Sequence, residues 1–288
     1  MAAVLCVHGI GQENEAEETL SDRWVPALCG GVSNAGGKLE RSEVAMCFYG
    51  GLFRPDESVS KSAADLGNAI DDEIEHERLV ARLGEAIDDE FEHDLLVALA
   101  DAAEPDSKAL ERPINAMLQQ VARTPFFGRC AQEVVVWSLK QVRWYLDDYN
   151  LTRQLAQRRL MNAITDDTRV LVAHSLGTVV AYEVLCAHRD LPVRTLVTLG
   201  SPLGIPVLRP HVQPSIAQSP APWPSGLAMW FNIADRTDIV ALEKRLASVF
   251  GDQVQDRLVQ NGATMHCVRP YLTAPATGRA IVAGLSRE

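Results

Sequence analysis

Residues 169–178 read Arg-Val-Leu-Val-Ala-His-Ser-Leu-Gly-Thr and place one serine hydroxyl, Ser175, between an apolar run and a helix-compatible stretch. A serine oxygen attacks a carbonyl carbon only when a base takes its proton, so where the chain holds the hydroxyl decides whether it reacts. A strand, a sharp turn and a helix would hold this one at the tip of a strained bend. Such a bend drives the serine backbone toward positive φ and crowds the neighbouring chain, which demands small residues two before and two after it. Ala173 and Gly177 meet that demand.

Three further features follow in chain order. Val4-Leu-Cys-Val-His8-Gly9-Ile10-Gly11 is an apolar strand running into a glycine-flexed loop. A loop after a core strand can supply one backbone N–H to an oxyanion hole, the second coming from the residue after the nucleophile. Those donors would be Ile10 and Leu176. Ala228-Met-Trp-Phe-Asn-Ile-Ala-Asp235-Arg-Thr-Asp238-Ile-Val240 reads as a strand ending in a loop with two carboxylates, and His266 lies just past a strand expected at 254–260. The order is therefore Ser, Asp, His.

Together with Thr198-Leu-Gly-Ser201-Pro202-Leu-Gly204 and with Tyr271-Leu272 after the histidine, these pieces resemble an α/β-hydrolase of the lipase/esterase kind. They span the chain except for roughly residues 52–165. The resemblance implies that Ser175 is the nucleophile, that His266 is the base returning the proton to the leaving group, and that Asp238 orients the imidazole. Between Asp235 and Asp238, the acid of the family tends to sit a residue or two before a valine that opens the next segment. Asp238-Ile-Val240 fits that pattern, and Asp235 would then bond its own loop amides. His174 and His8 are expected to support loops and not to move protons: His174 would pack beneath the oxyanion loop, and His8 would order that loop. His188 and His211 carry no signal.

Reading strands from apolar and β-branched runs gives 3–7, 43–48, 169–173, 194–199, 228–233 and 254–260, with helices at about 15–29, 176–189, 240–250 and 274–285. Such alternation predicts an α/β fold with a mostly parallel, doubly wound sheet of about six strands, its site at the carboxyl ends of the strands. The resemblance adds that the oxyanion loop follows the third strand of the family, so this chain would lack the first two. Residues 1–51 and 166–288 would form the hydrolase core. Residues 52–165 are far too long for a crossover and read as a helical insert, a cap or one wall of an acyl pocket. Aromatic residues between Ala131 and Ile164, Trp137 and Trp144 among them, could equally be that insert's own core. A second candidate for controlling access is residues 200–226, with seven prolines between Pro202 and Pro224.

The net charge of −11 is uneven: residues 65–106 hold fifteen acidic side chains against Arg78 and Arg82, a net −13, which leaves +2 elsewhere. No basic stripe favours nucleic acid, and the acidic segment would be repelled by phosphate or an anionic membrane. Within it, Ala69-Ile-Asp-Asp-Glu73-Ile-Glu-His76 recurs as Ala86-Ile-Asp-Asp-Glu90-Phe-Glu-His93, each copy carrying Glu-x-x-His. That spacing can bind metal on a helix, but di-iron bundles need two more glutamates from separate helices, so a solvated acidic face is the expectation. Such a helix pair could also meet a partner protein.

The first strand begins almost at Met1, so no leader is expected before it, and no apolar run is long enough for a membrane span. The cysteines at 6, 29, 47, 130, 186 and 267 show no C-x-x-C spacing and read as buried thiols in a reducing, cytoplasmic setting. The expected function is thus a serine hydrolase cleaving a carboxylic ester or thioester through an acyl-enzyme on Ser175, with no metal or organic cofactor. The resemblance to lipases favours a lipid-like acyl chain. Acyl transfer on the same triad, or a hydrolase-like scaffold whose acidic insert binds a protein, are the alternatives.

Overall fold

Five short apolar runs and the more polar 254–259 segment become one parallel sheet. In the computed structural model, which describes residues 2–54, 87, 89–104, 112–124, 132–147 and 151–286, the strands are β1 (Val4–Val7), β2 (Val44–Cys47), β3 (Val170–His174), β4 (Thr195–Leu199), β5 (Met229–Asp235) and β6 (Val254–Val259). Their order is β2-β1-β3-β4-β5-β6, and every neighbouring pair is parallel. Every residue of β1, β3, β4 and β5 is buried, as expected where helices cover both faces of a parallel sheet. The edge strand β6 is half-buried and carries exposed Arg257.

Side chains alternate across the sheet and so divide between two apolar layers. Val4, Cys6, Val170, Val172 and Phe231 pack with helix α1 (Glu17–Asn34) and the C-terminal helices, whereas Leu5, Val7, Leu171, Ala173 and Trp230 face the other layer. That second layer holds α2 (Glu90–Ala103), α3 (Ile114–Ala122), α4 (Gln132–Leu146), α5 (Thr152–Ala163) and α6 (Leu176–Ala187). Helix α5 packs on α6 and β2, which makes it the returning helix of the crossover from β2 to β3. Buried Leu95, Leu96, Leu99, Met117, Leu118 and Val121 from α2 and α3 belong to the same cluster as the sheet residues, so these helices extend the sheet's core layer.

A buried polar knot fixes that layer. The Glu183 carboxylate on α6 accepts hydrogen bonds from the Tyr145 hydroxyl at 2.6 Å, the Gln157 amide at 2.8 Å and the Gln213 backbone N–H at 2.9 Å. Arg153 lies 3.7 Å away and also donates to the His211 carbonyl at 2.6 Å. Burial pushes the Glu183 carboxyl above its ordinary range, while Arg153 and these donors oppose the rise. One carboxylate thereby joins α4, α5, α6 and the proline-rich segment.

Several helices depart from expectation. Helix α1 runs on to Asn34 despite Pro26 inside it. At 240–250 only α7 (Ala247–Phe250) is helical, and a short helix, α8 (Val268–Thr273), precedes the C-terminal helix α9 (Pro275–Leu285), which lies where 274–285 was expected. The first copy of the acidic repeat lies outside the described residues. The second opens α2, where its face is not wholly solvated. Asp89 caps the helix and pairs with Arg143 at 2.9 Å, and buried Glu92 sits 3.3 Å from Lys140, so both carboxylates dock α2 on α4. His93 on the same helix sits 3.5 Å from Asp94.

Candidate active site

The chain passes from β1 to β2 on one side and returns to β3 on the other, so β1 and β3 flank the point where strand order reverses. The crevice outside their carboxyl ends is where an open α/β sheet can receive a ligand. Both the glycine loop after β1 and Ser175 after β3 fall there. Ser175 has φ 53° and ψ −131°, the one non-glycine residue at positive φ among the described residues. That strain, of order 1–3 kcal/mol, is held by what surrounds it. Its N–H donates to Leu199 across the sheet at 3.1 Å, its carbonyl accepts from the Thr178 hydroxyl at 2.8 Å, and Ser201 meets that hydroxyl at 2.7 Å.

The small flanking residue is needed because α6 packs directly on the loop after β1: a methyl group added at Gly177 would come within 2.3 Å of the His8 carbonyl oxygen. The same loop reaches the serine, since a methyl group at Gly9 would stand 2.7 Å from Ser175 Cβ and 3.2 Å from its Oγ. Leu176 opens α6, so its N–H belongs to the first turn, which has no carbonyl of its own helix to bond and points outward with the positive end of the helix dipole. Ile10 borders both spaces that meet at Ser175.

Residues outside the sequence motifs hold the loop. The Tyr49 N–H donates to His8 Nε2 at 3.0 Å, and the Tyr49 hydroxyl donates to the His8 carbonyl. The register pairs Cys47 with Val7, which sets the two residues after β2 beside His8, so correct strand pairing could have found this contact. Gly11 N–H donates to Gln141 Oε1 at 2.9 Å, and the Trp137 indole donates to Glu13 at 2.8 Å, so α4 clamps the loop. No sequence signal marks Gln141, a lone glutamine 130 residues from its partner.

His266 and Asp238 are both buried and meet at 2.6 Å, Nδ1 to Oδ2. The Tyr271 hydroxyl donates to the same Oδ2 at 2.8 Å and accepts from the Asp235 N–H at 2.7 Å, while Asp238 Oδ1 accepts from the Val240 N–H at 2.9 Å. Burial alone would raise the Asp238 carboxyl, but His266, Tyr271 and the Val240 amide together bring it down to about 2. Asp238 is therefore a carboxylate at neutral pH and an acceptor for the imidazole N–H. Gly200, at φ 55°, lets this pair lie against the end of β4: a methyl group there would be 2.9 Å from Asp238 Oδ2 and 3.0 Å from His266 Nδ1. Asp235 has other partners, namely the Thr237 N–H and hydroxyl, each at 2.7 Å, and the Asn261 N–H.

His8 and His174 are placed differently from His266. His8 Nε2 accepts a backbone N–H, and its Nδ1 lies 2.7 Å from the Gly9 carbonyl, which fixes a neutral ring protonated at Nδ1. His174 donates from Nε2 to the His266 carbonyl at 2.9 Å, so it supports the loop carrying His266 and not, as expected, the loop after β1. Burial pulls His8 down to about 4; burial, with the His266 ring beside it, pulls His174 down to about 3. The unfolded chain binds protons that these folded rings refuse. Their contribution is complete above the ordinary value of 6.5 and is lost as pH falls below it. Between pH 7 and pH 5 each should cost roughly 2 kcal/mol of stability. Urea unfolding at the two pH values should show a shallower decline in His8→Gln and His174→Asn than in wild type; equal slopes would refute the assignment.

Ser175 stands where two spaces meet. One is an open cavity of about 830 Å³ that includes His8, Gly9, Trp24, His174, His266 and exposed Cys267 in its wall. The other is an apolar slot of about 40 Å³ walled by residues of α2, α4 and the 202–208 segment, among them Leu95, Leu139, Val142 and Leu208. Helix α4 thus borders both, and the proline-rich segment borders the slot.

No family model, curated protein or solved structure matches this chain. The chemistry of the site rests on its own geometry.

Cys6 and Cys47 are buried, their thiols pushed up to about 12 by that burial. Among the described residues no group of three or more His, Cys, Asp or Glu side chains is arranged to hold a metal ion, and no helix is long and apolar enough to cross a membrane.

Proposed function

We propose that the protein is a serine hydrolase of the α/β-hydrolase kind, cleaving a carboxylic ester or thioester through an acyl-enzyme on Ser175. The observation that carries this reading is the strained serine opening onto the same cavity as His266, whose Nδ1 is committed to a buried, ionised Asp238. With Nδ1–H donating to the carboxylate, the proton exchanged in the reaction travels on Nε2.

Ser175 Oγ attacks the carbonyl carbon as Nε2 takes its proton, and the carbonyl electron pair moves to oxygen. The Ile10 and Leu176 N–H groups receive that oxyanion. Collapse expels the alcohol or thiol, which leaves with the proton from Nε2. Water then attacks the acyl-enzyme by the same route, releases the carboxylic acid and restores the serine. Helix α4 and the proline-rich segment serve as the cap over the carboxyl ends of the strands, and α4 sets the oxyanion loop through Gln141 and Trp137.

A fluorophosphonate probe tests the reading, because it reacts with an activated serine and not with an ordinary one. Wild type should gain one phosphonyl adduct, located at Ser175 by peptide mass spectrometry, and folded Ser175→Ala should gain none. A folded wild-type protein that stays unlabelled would sink the reading.

A further inference from the structure

The two spaces beside Ser175 are unequal in size and chemistry, and only one of them includes His266 in its wall. In the mechanism proposed above, the departing oxygen or sulfur must lie within hydrogen-bond reach of His266 Nε2, since that atom protonates it. The leaving group therefore extends into the open cavity of about 830 Å³. The acyl group hangs from the other side of the same carbonyl carbon. It must enter the slot, which Ser175, Ile10 and Leu176 border and His266 does not.

The slot's walls decide what that acyl group is. Leu95 and Leu99 from α2, Leu139 and Val142 from α4, and Ile205 and Leu208 from the proline-rich segment offer no partner to a charge or a hydroxyl, and the hydroxyl of Ser138, which also lines the slot, already donates to the Val134 carbonyl at 2.7 Å, so the group is apolar. At about 40 Å³ against about 830 Å³ for the open cavity, the slot is by far the smaller space and suits a short tail. Leu95, Leu139 and Leu208 are fully packed side chains in the second core layer, so lengthening the slot means displacing core leucines. The open cavity is bounded instead by Trp24, Val134, Leu272 and, at its rim, Asp22, Arg23 and Arg269, a mixture suited to a bulky, partly polar group.

We infer that the preferred substrate is a short-chain acyl ester or thioester of a bulky alcohol or thiol, the reverse of a long-chain lipid. This rests on the serine-hydrolase reading, and the test separates the two. With p-nitrophenyl esters from acetate to dodecanoate, kcat/KM should peak between acetate and butyrate and fall at least ~10-fold by octanoate, since one misfitted methylene in a hydrophobic pocket costs about 10-fold or more. In Leu95→Ala, or in Leu208→Ala if the first variant does not fold, the optimum should move at least two carbons longer. With the acyl group fixed as acetyl, enlarging the leaving group from phenol to naphthol should cost less than ~3-fold.

An optimum at octanoate or longer, an optimum that neither alanine variant moves, or a ~10-fold loss with naphthyl acetate would overturn the slot assignment while fluorophosphonate labelling of Ser175 kept the serine reading intact. Failure of labelling and of all ester turnover would remove both together.

Discussion

Ester hydrolysis by folded His266→Ala is expected to fall about 10⁶-fold in kcat, and Ser175→Ala should lose about as much, while the double variant loses little more. The reason lies in the division of labour at the site. Ser175 is held at a strained bend by its sheet and helix contacts, so its placement does not depend on His266. Its reactivity does, because an alcohol attacks as the base withdraws its proton. Removing either residue removes the same step, and what remains is positioning and the Ile10 and Leu176 amides, worth about 10³–10⁴ over water. Steady-state assays with p-nitrophenyl acetate on all three variants check this. Losses that multiply in the double variant would mean that the two residues act separately, and an unaltered His266→Ala would move the base elsewhere.

The sheet and the placement of the candidate residues were legible in the sequence for the same reason. A strand buried on both faces reads as an apolar run, and the runs from Val4–Val7 to Met229–Asp235, like the more polar edge strand Val254–Val259, emerged within two residues of their expected limits. The catalytic candidates sit at the ends of those runs, so locating the strands located the site. Helix limits were less legible where side chains from afar compete for backbone amides. The pattern at 240–250 suits a helix, yet the Val240 N–H is taken by Asp238 at 2.9 Å, the Leu246 N–H by Asp256 Oδ1 at 2.9 Å and the Ala247 N–H by Asp256 Oδ2 at 3.1 Å. Carboxylates from a loop and from β6 thus leave only four residues for the helix.

The supporting residues were the least legible. Gln141 and Glu183 act through contacts between segments far apart in sequence, and nothing in their neighbours announces them. The acidic repeat taught the converse. Composition suggested a face turned wholly to water, but Glu92 and Asp89 find Lys140 and Arg143 on α4, which lies beside the slot. Charge that looked like solvation is in part what docks the wall of the proposed acyl site.

The choice between the two carboxylates of the β5 loop gives the second large effect. Asp238→Asn should lower kcat about 10⁴-fold, and Asp235→Asn less than about 10-fold. Asp238 Oδ2 accepts from both His266 Nδ1 and the Tyr271 hydroxyl, while its Oδ1 is occupied by the Val240 N–H. An asparagine there keeps the size but can offer only one oxygen. If that oxygen stays with the backbone, its NH₂ faces His266 Nδ1 and forces the proton onto Nε2, the atom that must receive one from Ser175. The imidazolium also loses its counter-charge. Asp235 supports a different structure: its oxygens hold Thr237 and the Asn261 N–H, so its loss loosens the join between the β5 loop and the segment leading to His266 without altering the ring's tautomer. Thermal melting should therefore drop for Asp235→Asn while activity at low temperature survives. Proton NMR sharpens the contrast, since the Nδ1–H resonance of a short His–Asp hydrogen bond should persist in Asp235→Asn and vanish in Asp238→Asn. Equal losses of activity in the two variants would mean that the site reads the net charge of the loop and not the geometry of one carboxylate.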